Sequence, residues 1–377
     1  MLVTALVFIL ILSVLVLIHE LGHFIVAKRL GIKVEEFGYG FPPRIWGKRI
    51  GETLYSINLL PIGGFVKLFG EDDAGGGKIQ AKSAKSEVKN EKNLSSSDLK
   101  RAFYARPSWQ RLSVVIAGVV MNFLLAVCII SYLFAARGVA VPSDHVRVTE
   151  ILPNSPAAMS GLKIDDKIIS VDGVKITKTE EFVKETRKHL GQPTKIVYVS
   201  DDKQNEVTLV PRKDFPKGEG PIGIGISAIE VRKYSLLEAP VYGTWEALKF
   251  SWVIVHGLGS MVYEGVIHGQ KPEGVAGPLG VAQLTGEAVS FGLDAVLWFM
   301  ALLSLNLAVL NILPIPALDG GRLFFILIEL VTRKQVNPKY ESYAHMVGLA
   351  LLLGLMAVVT IVDIARLISG KSLLPNM

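Results

Sequence analysis

"VLVLIHELGHFIVAKRL", residues 14–30, sets two histidines and a glutamate within a run of leucine, isoleucine and valine. The apolar run begins at residue 2, so the segment is long enough to cross a bilayer as one helix. Polar side chains inside such a helix are costly and mark functional sites. The stretch therefore predicts a membrane protein with a polar site in its first span.

The polar residues of this stretch form the pattern HExxH. His19 and His23 are four residues apart, so on a helix both imidazoles face one side and can bind a single zinc ion. Glu20 then reaches a metal-bound water. The alternative is a pair of packing histidines bonded to neighbouring carbonyls. The apolar setting favours the metal, because a polar cluster without a task is costly at that depth.

The composition indicates a polytopic membrane protein with a water-soluble insert. The chain has 377 residues, 50% of them hydrophobic, and a formal charge of +6. It is too apolar for an ordinary soluble protein and too charged for a bare helical bundle. The pI of 9.1 does not indicate a nucleic-acid partner, because the basic residues lie beside apolar segments and suit membrane topology. Cys128 is the only cysteine, so no intrachain disulfide forms.

About four apolar stretches have the length or context of spanning helices: residues 2–27, 112–135, 296–316 and 344–365. We expect the first to be retained, because it lacks the basic start and small-residue cleavage site of a signal peptide. Basic residues flank the loop between the first two spans, which the positive-inside rule places in the cytoplasm. The segment from about 136 to 295 is then extracytoplasmic.

The chain divides into seven parts. These are a first span with HExxH (1–30), a cytoplasmic loop (31–110), a second span (111–136), an extracytoplasmic α+β domain (140–230), an interfacial amphipathic helix and loop (240–295), a third span (296–330) and a fourth span (343–367). We favour an interfacial helix over a fifth span at 243–264, because charged residues interrupt that segment.

The cytoplasmic loop has two parts of different character. Residues 52–69 alternate apolar and polar side chains around Pro61, Gly63 and Gly64, which predicts a β-hairpin. Residues 71–100 are rich in Gly, Ser, Lys and Glu, which is typical of a flexible linker.

A catalytic zinc ion usually has three protein ligands, so HExxH needs a third. Four candidates lie in a membrane context: Asp319, Glu329, His345 and Asp363. Asp319 follows the proline-broken helix in "SLNLAVLNILPIPALDGGR" (304–322), and the topology returns it to the depth of the two histidines. Broken helices are tolerated in membranes only where they are buried or line a cavity. An ordinary Asp-Gly turn is the alternative.

These residues suit peptide hydrolysis, with Glu20 as the base for an attacking water. A substrate helix must be unwound before its backbone can be attacked. The edge of the predicted hairpin can add the unwound segment as a strand. Asn306 and Asn311 can hydrogen-bond the same backbone, or can hold neighbouring helices together.

The chain resembles the bacterial site-2 proteases, which are intramembrane zinc metalloproteases. HELGH, "PIGGFVKLFGED" (61–72), "PSWQRLSVVIAGVVMNFLLAV" (107–127) and the 304–322 stretch carry the resemblance. It implies one zinc ion per chain on His19, His23 and Asp319, with Glu20 as the catalytic residue. It implies substrate contacts at Asn306 and Asn311, and places Gly63 and Gly64 in a membrane-associated β-loop. Val119 departs from the family, which has proline there.

The outer domain resembles a PDZ domain through "SPAAMSGLKIDDKIISVDG" (155–173), present in one copy. Asp165-Asp166 stands where the family has Gly-Asp, and Asp tolerates the left-handed backbone that Gly supplies. The sequence does not decide the role of this domain, which is a size filter, a sensor of trimmed substrate ends or a simple spacer.

The resemblance implies regulated intramembrane proteolysis in the bacterial cytoplasmic membrane. The implied partners are membrane lipid and single-span substrates, such as anti-sigma factors trimmed outside by another protease, or signal peptide remnants. The active site would face the cytoplasm. Two alternatives belong to other classes: a catalytically silent scaffold that presents its PDZ domain, and a metal transporter. A silent relative would be expected to lose Glu20 or a ligand, and a transporter would carry polar residues through several spans.

Overall fold

We describe the protein from a computed structural model that covers residues 2–71, 96–216, 218–269, 276–334 and 336–369. The helices are α1 Leu2–Arg29, α2 Ser96–Leu99, α3 Ser108–Ala136, α4 Pro156–Ser160, α5 Thr179–Lys188, α6 Ala239–Ile267, α7 Pro278–Phe291, α8 Leu293–Ile312, α9 Asp319–Thr332 and α10 Pro338–Ile368. The strands are β1 Val34–Ile50, β2 Thr53–Leu68, β3 Val139–Ile151, β4 Lys167–Val171, β5 Val174–Lys175, β6 Thr194–Ser200, β7 Lys203–Leu209 and β8 Ile224–Arg232.

Within the described residues, four helices are long and apolar enough to cross a membrane: α1, α3, α8 and the 339–366 part of α10. Their number equals the four spans predicted from the sequence. The chain forms two compact units, one of residues 1–132 with 237–377 and one of residues 133–236. The first unit contains α1, α8, α10 and all but the last four residues of α3. The second unit is the insert, which follows α3 in the chain.

Close packing of α1 on α3 positions the HExxH pattern. A Cβ atom added at Gly22 would overlap the backbone carbonyl of Ala117, so only glycine allows this approach. At the end of α1, Ala27, Val114 and Phe103 belong to one buried cluster that also receives Leu323 of α9. Within a membrane, close packing rather than removal from water stabilises such a cluster, because lipid tails are as apolar as these side chains.

The strands β1 and β2 pair antiparallel, and the turn that joins them lies at Gly51 and Glu52. Ile57 lies opposite both Tyr39 and Trp46, and Tyr39 also lies opposite Gly64. Residues 36–39 of β1 therefore pair with two parts of β2, one on each side. The sequence predicted that residues 52–69 form a hairpin by themselves, and this was wrong. Residues 53–68 are the single strand β2, which pairs with β1 at residues 34–50.

The predicted third span is interrupted by a break, as its prolines predict. α8 ends at Ile312, the segment 313–318 is not helical, and α9 starts at Asp319. Pro314 and Pro316 lack the backbone N–H that a continuous helix needs. The predicted third span at 296–330 thus consists of two helices, and Asp319 is the first residue of the second.

The segment predicted as an interfacial helix and loop contains two helices, α6 and α7. α7 was not expected. Its first turn is held by Asp363 of α10, whose carboxylate accepts the backbone N–H of Gly280 at 2.9 Å. A carboxylate at a helix N-terminus satisfies a donor that the helix itself leaves unpaired. The interfacial position of α6 stays a prediction.

The insert has a sheet in the order β7-β6-β4-β3-β8, with β5 paired to β4. Its core contains the fully buried Val146, Ile168 and Ile196. α4 follows its sequence closely, since Ser155 accepts the N–H of Ala158 and Gly161 ends the helix at φ +86°. Asp165 has φ +75°, as expected for a residue that replaces glycine. The insert is the small mixed domain that the sequence predicts.

The predicted linker at 71–100 lies mostly outside the described residues. Its last part forms the short helix α2, and a 3-10 turn follows at Phe103–Ala105. Near this turn, Arg101 donates two hydrogen bonds of 2.7 Å to Glu52, and Lys28 donates one of 2.9 Å. Hydrogen bonds from Arg101, assisted by Lys28, lower the pKa of Glu52 from 4.5 to about 2. These contacts join the β1–β2 turn to the end of α1.

We predict that Glu52→Gln lowers the thermal unfolding midpoint at neutral pH by roughly 1–3 °C, because the pair is partly exposed. The depressed pKa means that the carboxylate stabilises the folded state above pH 4.5, and that this contribution disappears as the pH falls towards 2. Melting of the detergent-solubilised wild type and variant from pH 7 to pH 3 measures the difference. A gap that stays constant across this range would contradict the assignment.

Candidate active site

Three side chains from separate parts of the chain converge at one point. His19 and His23 face the same side of α1, and Asp319 opens α9. The Nε2 atoms of the two histidines are 3.1 Å apart. Asp319 Oδ2 lies 2.9 Å from Nε2 of His19 and 3.2 Å from Nε2 of His23. Residues 300 positions apart in sequence thus present three metal-binding atoms to a common centre.

The other ring nitrogen of each histidine faces α3. Nδ1–H of His23 donates to the carbonyl of Val114 at 2.8 Å, which leaves Nε2 with its lone pair free. Nδ1 of His19 lies 3.2 Å from the amide nitrogen of the buried Asn122. Asn122 Oδ1 has no hydrogen-bond partner among the described residues. Rotation of this amide by 180° lets Oδ1 accept Nδ1–H of His19, and then both histidines present Nε2 lone pairs.

Gly118 gives the two imidazoles their space. A Cβ atom at this position would lie 2.5 Å from Nε2 of His23 and 2.7 Å from Nε2 of His19, too close for any other residue. Ser304 of α8 fixes α3 at the next turn, because its hydroxyl donates to the carbonyl of Asn122 at 2.7 Å. The face of α3 that meets α1 therefore leaves room for both imidazoles.

This donor set fits a tetrahedral zinc ion. Ligand atoms about 2.0–2.1 Å from a zinc ion are ~3.3 Å from one another, close to the separations of 2.9–3.2 Å found here. Two imidazoles and one carboxylate are the ligands of a catalytic site that keeps a position for water. The side chains are 11% exposed for the histidines and 22% for Asp319, which leaves an approach for a small molecule.

Glu20 lies beside the glycine pair of β2. A Cβ atom at Gly64 would lie 3.5 Å from Cγ of Glu20 and 3.4 Å from a methyl group of Val16. Gly63 has φ +94°, and a side chain there would meet the ring of Phe41. The backbone of β2 thus passes directly over the turn of α1 that carries the glutamate.

The end of β2 is also tied to α9. Arg322, one turn after Asp319, forms an ion pair with Glu71. The pair links the strand that passes over Glu20 to the helix that supplies the carboxylate ligand.

The other three ligand candidates have different partners. Glu329 accepts hydrogen bonds of 2.6 Å from Arg111. His345 accepts the backbone N–H of Ala317, and Asp363 accepts that of Gly280. Of the four acidic and histidine candidates, Asp319 is the one that meets His19 and His23 in the structure.

The two asparagines proposed for substrate contact lie on α8. The amide of Asn306 donates to the carbonyl of Leu302 in the preceding turn, at 3.1 Å. Asn311 is in the last turn of α8, directly before the break. Both side chains are partly exposed, and the structure does not place either among the three metal-binding side chains.

The model of peptidase family M50 matches residues 7–355 of this chain. The chain belongs to peptidase family M50. A "putative zinc metalloprotease" of Clostridium perfringens is 36% identical over 93% of this chain and 96% of its own length. The "Regulator of sigma-W protease RasP" of Bacillus subtilis is 31% identical over 97% of this chain and 99% of its own length.

The insert is similar to solved domains as well. A PDZ domain of an SdrC-like protein from Listeria monocytogenes is 30% identical to this chain, covers 23% of it and 90% of the domain, and has a TM-score of 0.21. The M50 match, in contrast, runs from residue 7 in α1 to residue 355 in α10 and so includes at least part of each of the four candidate spanning helices. Membership of the family therefore covers the HExxH pattern and Asp319 together.

Sequence reasoning missed two residues of this M50 member that lie against the histidines. Gly118 and Asn122 lie four residues apart in the second span, on the face of α3 that meets α1. A polar amide inside an apolar span marks a site, so Asn122 carried a signal. Gly118 acts only by leaving space, and nothing in a single sequence distinguishes such a glycine from others in a span.

We predict that Asn122→Leu lowers zinc affinity about 10–100-fold, the usual effect of removing the partner of a histidine ligand. Asn122→Asp provides the matched control, because a carboxylate of similar shape still accepts Nδ1–H of His19. Competition with a chromophoric chelator measures both affinities in detergent. Equal affinities for the Leu and Asp variants would show that Asn122 does not orient His19.

Proposed function

We propose that this chain is an intramembrane zinc endopeptidase that cuts the spanning segments of single-span membrane proteins. Its family is a peptidase family, and curated relatives along its whole length are named zinc metalloproteases. One observation carries the proposal: two imidazoles of α1, a helix apolar enough to cross a membrane, converge with the carboxylate of Asp319 beside Glu20. Hydrolytic groups are of no use at that depth unless the bond to be cut is there too.

His19, His23 and Asp319 would hold one zinc ion, and Glu20 would be the catalytic base. Zinc bound there would polarise the substrate carbonyl and lower the pKa of a water molecule. The carboxylate of Glu20 takes the proton from the attacking water and delivers it to the nitrogen of the leaving amine. Asn122 and the Val114 carbonyl keep both imidazoles oriented through this transfer.

The β1–β2 sheet is the proposed substrate platform. Gly64, which follows Gly63, leaves the backbone of β2 close to Glu20, so a strand added along this edge would pass the catalytic groups. Asn306 and Asn311 would hydrogen-bond the freed backbone of the unwound substrate. Unwinding exposes peptide groups that no water satisfies in a bilayer, so such partners are needed.

The sheet has the surface expected of a membrane-associated loop. The residues with large exposed apolar side chains include Phe41, Ile45, Trp46, Ile50, Leu59 and Leu60. An exposed apolar patch with aromatic members is typical of a surface that contacts lipid or a protein partner. We infer that this part of the loop dips into the membrane next to the site.

The proposed setting is the bacterial cytoplasmic membrane, with the site towards the cytoplasm and the insert outside, where it acts as a PDZ domain. The substrates would be anti-sigma factors trimmed by an earlier protease, and signal peptide remnants. The name of the Bacillus subtilis relative, a regulator of sigma-W protease, supports the first class. The scaffold alternative receives no support, since Glu20 and all three ligand residues are present.

We predict that Glu20→Gln lowers the cleavage rate of a single-span reporter substrate by at least about 10²–10⁴-fold while one zinc ion stays bound. The amide keeps the shape of the side chain but cannot accept the proton. Purified proteins in detergent, compared at equal zinc content, provide the measurement. Equal cleavage by wild type and variant would reject Glu20 as the base, and a wild type without zinc or product would favour the scaffold.

We predict that Gly64→Val impairs cleavage mainly by raising KM, because its branched side chain projects towards Glu20 and Val16 where the substrate strand would lie. Zinc content should be unchanged. Gly220→Val in the insert is the matched control, since an added Cβ atom meets nothing within 4 Å there and, as at Gly64, the φ lies outside the left-handed region. Equal KM values for the two variants would contradict a substrate platform at Gly64.

A further inference from the structure

The turn that leads into Asp319 contains a strained residue. Ala317 has φ +78°, the left-handed region that favours glycine. Residues with a Cβ atom stay in this region only where surrounding contacts force them to. Asp319 is two residues further on, so the contacts that hold Ala317 also determine where the carboxylate of Asp319 points.

His345 of α10 supplies one of these contacts. Its Nδ1 accepts the backbone N–H of Ala317 at 3.0 Å, which requires a neutral ring with its proton on Nε2. Nε2 itself is buried and has no hydrogen-bond partner among the described residues. The ring also packs near Phe325 of α9, with centroids 6.0 Å apart. Among the described residues, the hydrogen bond of the His345 ring is therefore the one to Ala317 in the strained turn.

Helix α10 approaches the same turn unusually closely. Gly348, one turn after His345, has no room for a Cβ atom because it would overlap Pro316. Gly321 of α9 also lies against the turn, because a Cβ atom there would lie 2.7 Å from the carbonyl oxygen of Ile315. The segment from Ile315 to Ala317 is thus contacted closely by Gly348 and Gly321 and hydrogen-bonded by the imidazole of His345.

We propose that His345 is a positioning residue for the metal site. It holds Ala317 in the left-handed conformation, and through this turn it presents the Asp319 carboxylate to His19 and His23. The inference rests on the proposed zinc site. Without the acceptor at position 345, the N–H of Ala317 loses its partner and the turn relaxes towards a conformation with negative φ.

The closing experiment measures zinc affinity of the full chain in detergent, after removal of metal by a chelator and without any substrate. His345→Leu and His345→Asn form the matched pair. Asn Oδ1 branches from Cγ at the same place as Nδ1 of the imidazole, so it can accept the N–H of Ala317. Leu has nearly the same shape as Asn and cannot.

We expect His345→Leu to bind zinc about 10–100-fold more weakly than wild type, and His345→Asn to stay within about threefold. Cobalt in place of zinc should show the altered ligand field of a displaced carboxylate in the Leu variant alone. Ala317→Gly removes the strain that His345 holds. The loss caused by His345→Leu should therefore be several-fold smaller in the Ala317→Gly background than in wild type.

Equal affinities of the Leu and Asn variants would overturn the proposal, since packing would then be the whole role of the ring. Purely additive effects of His345→Leu and Ala317→Gly would overturn it too. A wild type that binds no zinc would instead reject the proposed function. If His345→Leu does not fold, His345→Phe, which keeps a planar ring but has no acceptor, takes its place in both comparisons.

Discussion

The structure depends on bringing one carboxylate to two histidines inside helices that are otherwise apolar. His19 and His23 belong to the first span, and Asp319 belongs to a helix that begins almost 300 residues later. Buried polar atoms are costly unless they are paired or bind a metal. The packing of α1, α3 and α9 satisfies this constraint, because each helix contributes either a metal-binding atom or the partner that orients one.

Glycines and prolines provide the backbone geometry that this meeting needs. Gly22 and Gly118 let α3 pass close to α1 without displacing the imidazoles. Pro314 and Pro316 end α8, so that a new helix can begin with Asp319. Interactions with α10 then fix the turn between them. The metal-binding atoms converge where these elements meet, and the backbone of β2 passes beside Glu20.

The sequence predicted the parts of this account that depend on local pattern. HExxH within an apolar run, the proline break before Asp319 and the four spans can all be recognised from spacing and composition. The partner of β2 was missed, because the two prolines at 42 and 43 and several glycines hid the strand at 34–50. The roles of Asn122, Ala317 and His345 depend on which helices meet, and a single sequence without homologues does not contain that information.

The most direct test of the account is the X-ray absorption spectrum of the purified, zinc-loaded chain at the zinc edge. The account predicts two imidazole nitrogens at about 2.0–2.1 Å and further oxygen ligands at about 2.0–2.2 Å, with no sulfur. His19→Ala should remove the outer-shell scattering of one imidazole. A spectrum with sulfur ligands, or one that His19→Ala leaves unchanged, would place the metal elsewhere and contradict the central claim.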